Sequence, residues 1–384
     1  MGGGLPCRGR HDCARDRFAR RSALGLRRRR HACRLVGGLL GAARASPDAG
    51  PSGNGGHGMT GTHIAIGICT FRRPGIAATL ASLGALRWPE GMSGLVIVAD
   101  NDETPSARET VHAAAKGLPL PVCYLHAPAR NISVARNAIL EAVEARGLER
   151  LAFLDDDEMV EPGWIEALTE ALARTGAEAV LGPVRAEHGA EAPAWMRESA
   201  IHDTRPTFLS DGSIKSGYSC NVLMDLTAPA LEGLRFDPAR GRSGGEDTAF
   251  FEAMLRRGGR LGFAPDALVR ETVPADRARL GWLLRRRFRM GQTHASLIAG
   301  PGRAQRAKQA LVALSKVAAC SGMALAAVHD PLKRNNALLR GALHVGTLSA
   351  LFGARPITIY GGTGPAPSTF DSKTDSYLVS RSRT

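Results

Sequence analysis

The chain has 384 residues, 44% of them hydrophobic, which suits one large or two ordinary globular domains and excludes a fibrous or wholly disordered protein. A formal charge of +14 would fit a nucleic-acid binder if it were spread along the chain. Residues 1–58 carry twelve Arg against Asp12, Asp16 and Asp48, a net +9, which leaves +5 for the other 326 residues; the body is only mildly basic, and nucleic acid is not an expected partner.

Residues 1–58 are rich in Gly, Arg and Ala and lack sustained apolar periodicity. They read as a disordered basic leader outside the functional protein, with native translation expected to start at Met59. From His63 onward strand and helix alternate. His63–Ile68 is a β-branched run, and Pro74 suits the first turn of a helix with Leu80, Leu83 and Leu86 on one face. Leu95–Ala99 and Val122–Leu125 read as buried strands, and Val134–Ala145 as a helix closed by Gly147. Leu151–Leu154 is a strand ending in acids, Pro162 opens a helix to about Arg174, and Ala179–Leu181 is a further strand. This alternation predicts an α/β fold with a mostly parallel sheet and helices on both faces, in which ligands sit at the carboxyl ends of strands. Seven cysteines without a Cys-x-x-Cys pair exclude a zinc knuckle or disulfide framework and fit a reducing, cytoplasmic compartment, with Cys69 and Cys220 as packed thiols.

Three strand ends bear polar residues. Ile68 leads into Cys69-Thr70-Phe71-Arg72-Arg73-Pro74, Ala99 into Asp100-Asn101-Asp102, and Leu154 into Asp155-Asp156-Asp157-Glu158. An acidic run alone is more often a solvated loop. Directly after four apolar strand residues it becomes a site, and converging carboxylates call for a cation. Mg²⁺ or Mn²⁺ held by one or two of them would neutralise a diphosphate. A fourth element, Ser243-Gly244-Gly245-Glu246-Asp247-Thr248, precedes Phe250, Phe251, Met254 and Leu255 at helical spacing, with Gly258-Gly259 ending the helix. Glu246 and Asp247 at that N-terminus are either capping acids or a general base facing the crevice, and the residues alone leave both readings open.

The blocks Ile-Cys-Thr-Phe-Arg-Arg-Pro (68–74), Val-Ala-Asp-Asn (98–101), Asn-Ile-Ser-Val-Ala-Arg-Asn-Ala (131–138), Phe-Leu-Asp-Asp-Asp-Glu (153–158) and Gly-Gly-Glu-Asp-Thr (244–248) come in an order and spacing that resembles glycosyltransferase family 2, and more narrowly its succinoglycan-type bacterial exopolysaccharide glucosyltransferases. The resemblance implies a Rossmann-like GT-A fold over residues 59–296 and an inverting, single-displacement transfer from a nucleotide sugar, a UDP-sugar by preference. Thr70 and Arg73 would border the nucleotide base and Asp100 its uracil or ribose. Arg136 and Asn137 would shape the donor pocket, Asp155 would contact ribose or sugar, and Asp157 would ligate the metal. Asn221, in Gly-Tyr-Ser-Cys-Asn, would lie near the donor sugar, with Asp247 as base beside Glu246. Asp156 departs from the small residue often found between the two acids, which leaves the division of labour among the three acids open.

Residues 277–289 interleave Arg277, Arg279, Arg285, Arg286, Arg287 and Arg289 with Leu280, Trp282, Leu283, Leu284 and Phe288. They read either as a solvated helix face or as a basic surface for anionic lipid or an acceptor diphosphate. Ala310–Val328 and Ala337–Phe352 predict packed or interfacial helices, since Lys316 near the middle of the first opposes insertion by ~2.5–3.5 kcal/mol. The expected organisation is therefore a helical, membrane-associated segment over 297–356 and a disordered tail over 357–384. The acceptor would be a saccharide or lipid-linked oligosaccharide reached at the inner face of the membrane. Two rivals were weighed. A sugar-phosphate nucleotidyltransferase needs a Gly-rich phosphate loop that Thr70–Pro74 lacks, and a basic adaptor leaves the acidic strand ends unexplained.

Overall fold

The computed structural model describes residues 62–298, 302–355, 357 and 376–379. The expected leader and the start at Met59 lie outside these residues, as does most of the expected tail.

The first half is built of short α/β units. β1 (Thr62–Thr70) leads to α1 (Ile76–Leu83), β2 (Met92–Asp100) to α2 (Arg108–Ala115), β3 (Val122–His126) to α3 (Ile132–Ala145), and β4 (Arg150–Asp155) through β5 (Glu158–Val160) to α4 (Trp164–Thr175). Local chemistry sets these limits. The Asn131 side chain accepts from the Ser133 N–H, so α3 starts two residues before the expected Val134. Gly176 closes α4 in the left-handed conformation. The helix expected from Pro74 spans only Ile76–Leu83, which leaves Leu86 beyond its end. There follow β6 (Ala179–Leu181), β7 (Val184–His188), α5 (Ala194–Arg197), β8 (Asn221–Asp225), α6 (Glu246–Arg256), β9 (Leu261–Phe263) and β10 (Val269–Val273).

The central sheet runs β11-β3-β2-β1-β4-β8-β6-β9, where β11 (Ser376–Val379) pairs antiparallel with β3. That strand corrects the expectation of a wholly disordered tail. β3, β2, β1 and β4 are mutually parallel, while β8 runs antiparallel between β4 and β6. The expected largely parallel α/β sheet with C-terminal helices is thus present, and its parallel part is where the three polar strand ends lie. A second sheet, β5-β10-β7, stands beside it. Strand pleating sends Ile64, Ile66 and Ile68 of β1 into one core with Leu80, Trp164 and Leu168, and Ala65 and Cys69 into the other with Ile139, Phe153 and Phe251. Both faces are covered, as parallel sheets require.

Three long helices close the chain: α7 (Leu280–Ile298), α8 (Arg303–Ala326) and α9 (Pro331–Leu351). Asp330 caps α9 by accepting from the Lys333 N–H, with Pro331 in the first turn, so the helix begins six residues before the expected Ala337. α7 and α9 cross through Gly291 and Gly346: a Cβ on either would strike the backbone carbonyl of Leu343 or Phe288 on the facing helix. The expected boundary at 296–297 therefore cuts through α7, and the helical segment begins at Leu280.

Candidate active site

Register brings the polar ends to one level. Thr70 of β1 lies opposite Asp100 of β2, and Cys69 opposite Asp155 of β4. The loop after β1 clasps the acidic turn after β4. Thr70 Oγ1 donates to Asp156 Oδ2 at 2.7 Å, the Asp156 carbonyl accepts from Thr79 Oγ1 at 3.0 Å, and Arg73 pairs with Asp157 at 2.6 Å. The middle acid, whose role the sequence left open, is thus the anchor of the turn. Cys69 lies beside this site, but burial pushes its thiol up to about 12, so it is inert at neutral pH.

Asp155 lies in the crevice with 42% of its side chain exposed. Loss of hydration, and then the charges of Asp157, Asp156 and Glu271 against the relief of Arg136, push its carboxyl up to about 7. Asp156 is pushed up to about 6, again mainly by burial. Glu271 on β10 is raised by burial and then by Asp157, and buried Glu158 is raised well above its ordinary value by burial and then by Asp155 while accepting the Asp155 N–H at 2.9 Å. Arg277 reaches Asp157 at 3.8 Å and Glu271 at 3.6 Å. The sequence reading had Glu158 only as the last acid of the run and Arg277 only as the first arginine of the basic stretch, and it missed Glu271, which nothing local marks.

Arg136 joins this crevice to α6. It is buried and forms a 2.6 Å ion pair with Glu246 and a longer one, 3.7 Å, with Asp155. Its guanidinium stands over the Phe236 ring at 5.4 Å, and Asn137 holds that ring by donating to the Phe236 carbonyl at 2.9 Å and accepting its N–H at 2.8 Å. Glu246 is therefore a buried partner of Arg136. Asp247, next in the chain, stays reachable and accepts the Thr248 N–H at 2.6 Å. Burial, and then the Glu246 charge, raise its carboxyl, with Arg136 opposing. Gly244 and Gly245, at φ +83° and +88°, set this turn in the left-handed region. Arg289 of α7 packs on Gly244 and donates to the Ser243 carbonyl at 2.7 Å.

Two residues expected at the donor, Asp100 and Asn221, are held by bonds within the fold. Asp100 is fully buried, and its carboxylate already accepts from the Asp102 N–H (3.1 Å), the Ala107 N–H (2.8 Å) and the Tyr124 hydroxyl (2.7 Å). It shapes the Asn101–Glu103 loop, which Arg72 and Arg130 clamp through Asp102 at 2.9 Å and Glu103 at 2.8 Å. Both arginines sit at positive φ, 54° and 44°, a strain of about 1–3 kcal/mol each that collects at functional loops. Asn221 is likewise fully buried: its amide accepts from Trp164 Nε1 and donates to the Pro183 and Ala267 carbonyls, tying β8 to α4 and neighbouring turns. Three of the roughly four acceptor sites of the Asp100 carboxylate, and both N–H groups of the Asn221 amide, are thus used inside the fold.

Among the described residues no three His, Cys, Asp or Glu side chains close on a ready-made metal cage. The carboxylates present still suit a hard divalent ion shared with phosphate oxygens, because the charges of Asp157 and Glu271 reach Asp155, and that of Asp157 reaches Glu271.

The acid turn and the Glu-Asp helix start thus stand at the carboxyl ends of parallel strands, where open α/β sheets bind their ligands. Residues 65–228 match the family described as Glycosyl transferase family 2. The chain is 46% identical over 300 residues to the succinoglycan biosynthesis protein ExoM of Rhizobium meliloti (strain 1021), covering 78% of this chain and 96% of that one. The chain belongs to glycosyltransferase family 2. Among solved structures it is similar to S. aureus TarS, with TM-score 0.43 and 16% identity over 74% of this chain and 52% of that one. It is also similar to TarS 1–349 in complex with UDP-GlcNAc, with TM-score 0.44 and 13% identity over 81% and 100%. The chain spans about half the length of the first of these.

Proposed function

We propose that the chain is an inverting hexosyltransferase that moves glucose from a UDP-sugar to a saccharide or lipid-linked oligosaccharide during succinoglycan-type exopolysaccharide synthesis, at the cytoplasmic face of the membrane. The observation that carries the reading is the Arg136 bridge, which sets the α6 acids opposite the β4 acid turn while leaving Asp247 open. Asp247 takes the proton from the acceptor hydroxyl. The freed oxygen bonds to the anomeric carbon as the bond from that carbon to the diphosphate breaks, and UDP departs with the electron pair. A single base suffices, so the anomeric configuration inverts.

A divalent ion, Mg²⁺ or Mn²⁺, would be held by Asp157 with Asp155 and would supply charge neutralisation to the diphosphate. Arg73 and Arg277, which pair with Asp157, add fixed positive charge at the same place. Glu246 and Arg136 position the base, and Thr70 with Asp156 keeps the acid turn in place.

The test is thermal stabilisation by a panel of nucleotide sugars with Mn²⁺, followed by the anomeric configuration of the product by NMR. A ligand confined to the folded state raises Tm. UDP-glucose should stabilise most, Asp157→Ala should remove the metal-dependent part, and the product should be inverted. A retained configuration, or stabilisation by nucleoside triphosphates alone, would refute the proposal.

A further inference from the structure

The groove between α7, α8 and α9 takes no part in the chemistry above. It has a volume of about 760 Å³ and is lined by Ile201, Arg287, Met323, Lys333, Leu339 and Arg340, among others, so apolar walls meet three cations. Lys333 pairs with Asp330 at 3.0 Å, while Arg287 and Arg340 form no ion pair with a carboxylate among the described residues. Residues 277–355 hold eleven Arg and three Lys against a single acid, Asp330. Beside the groove, α8 turns small residues (Ala313, Cys320, Ala324) inward and leaves Leu311, Leu314 and Leu325 69%, 56% and 77% exposed. Positions 311, 314, 318 and 325 recur at helical spacing, which makes one apolar stripe on the side opposite the buried residues. α8 is long and apolar enough to cross a bilayer, but it is packed along α9 and carries Lys316 mid-helix, which favours lying in the interface.

We infer that this face docks on an anionic phospholipid bilayer, with the α8 stripe seated among the acyl chains and a lipid phosphate held by Arg287, Lys333 and Arg340. This deepens the membrane-face reading above and rests on it. An exposed apolar stripe needs a cover, and the surrounding charge selects which one. A second copy of the chain would bring two such basic faces together, whereas an anionic leaflet attracts juxtamembrane cations.

Flotation of the full chain with phosphatidylcholine vesicles, with or without phosphatidylglycerol, tests this. Two variants accompany it: Leu311→Glu with Leu314→Glu and Leu325→Glu, and Lys333→Glu with Arg340→Glu. Wild type should float with the anionic vesicles and about tenfold less with neutral ones, and each variant should lose about tenfold in partition. Metal-dependent UDP release and Tm should stay at wild-type values in both. If both variants float like wild type, this surface is wrong and the membrane reading stands; if wild type floats with no vesicle, both fall. Equal flotation on neutral vesicles would overturn the role of the cations. A wild-type dimer that the triple variant dissociates would show the stripe covered by protein instead.

Discussion

Two regions of this molecule are electrical opposites. Residues 59–276 hold 30 acids against 21 basic residues, a net −9, whereas residues 277–355 carry a net +13. An acidic domain proposed to bind a diphosphate would work against its own field, and neighbouring carboxylate charges already raise Asp155 and Glu271. The basic region relieves the strain at two points: Arg277 pairs with Asp157 and Glu271, and Arg289 holds the turn before Glu246. The contrast teaches that the basic segment is no uniform patch. Part of it completes the site, and part faces away from it along α8 and α9.

If that division is right, changes in the acidic region strike turnover first. Asp247→Asn removes the base while keeping its shape, and should cut kcat by about a hundredfold or more with donor affinity retained. Steady-state kinetics alongside calorimetric donor binding separate these. Retention of most of the activity would refute the assignment of the base. Arg136→Met comes next. It leaves Glu246 buried without its ion pair, a class of change that costs about 3–5 kcal/mol, so the denaturation midpoint should fall sharply. Arg136→Lys should recover part of that stability, since a single ammonium replaces the guanidinium fork near Glu246. Equal loss in both variants would mean that the planar fork, and not the charge, is what matters.

How much of this was legible beforehand follows a physical line. The strand ends showed because an apolar run followed by acids is a local signal, and helix C-termini showed where a Gly followed, whereas the Asn131 and Asp330 caps went unread and α3 and α9 begin earlier than expected. What holds Asp100 and Asn221 did not show, for the opposite reason. Their residue type suits a ligand contact, but their donors and acceptors come from Tyr124, Trp164 and Ala267, 24 to 57 residues away. Such pairing depends on tertiary packing. Glu271 was invisible because only the pairing of β10 with β5 brings it opposite Glu158. Glu246 and Asp247 were legible as a pair, yet only the buried Arg136 tells the inward acid from the accessible one.

A smaller effect is expected at the seam between the regions. Arg289→Met removes the hydrogen bond to the Ser243 carbonyl and loosens the Gly244–Gly245 turn without emptying the core. A neutral-acceptor bond of this kind contributes about 1–2 kcal/mol at most, so Tm should move little while kcat falls several-fold as Asp247 loses its placement. If kcat is unchanged and only vesicle binding falls, Arg289 belongs with the outer basic face and the division drawn above is in the wrong place.

The gentlest probe is pH, and it also separates the two regions. Asp155 is pushed up to about 7 and Asp156 to about 6, with Glu158, Asp247 and Glu271 shifted the same way; the share of Asp155 is the smaller because 42% of its side chain meets solvent, which screens it. In the unfolded chain such carboxyls titrate near 4. Between those limits the folded chain holds protons that the unfolded chain has released, so stability falls as pH rises through the window and levels off above it. The one acid of the basic segment, Asp330, shifts the other way, held low by Lys333, and works against this slope only weakly because solvent screens its partly exposed carboxylate. With EDTA present, Tm should therefore be higher near pH 5 than near 7.5 by a few degrees, and Asp155→Asn should flatten part of that slope. Adding Mn²⁺ should weaken or reverse the trend, because the ion takes the place of the protons on the crevice carboxylates. A metal-free protein whose Tm climbs with pH over this range would mean that these acids stay ionised in the folded state, and that Arg73, Arg136 and Arg277 already balance them without a cation.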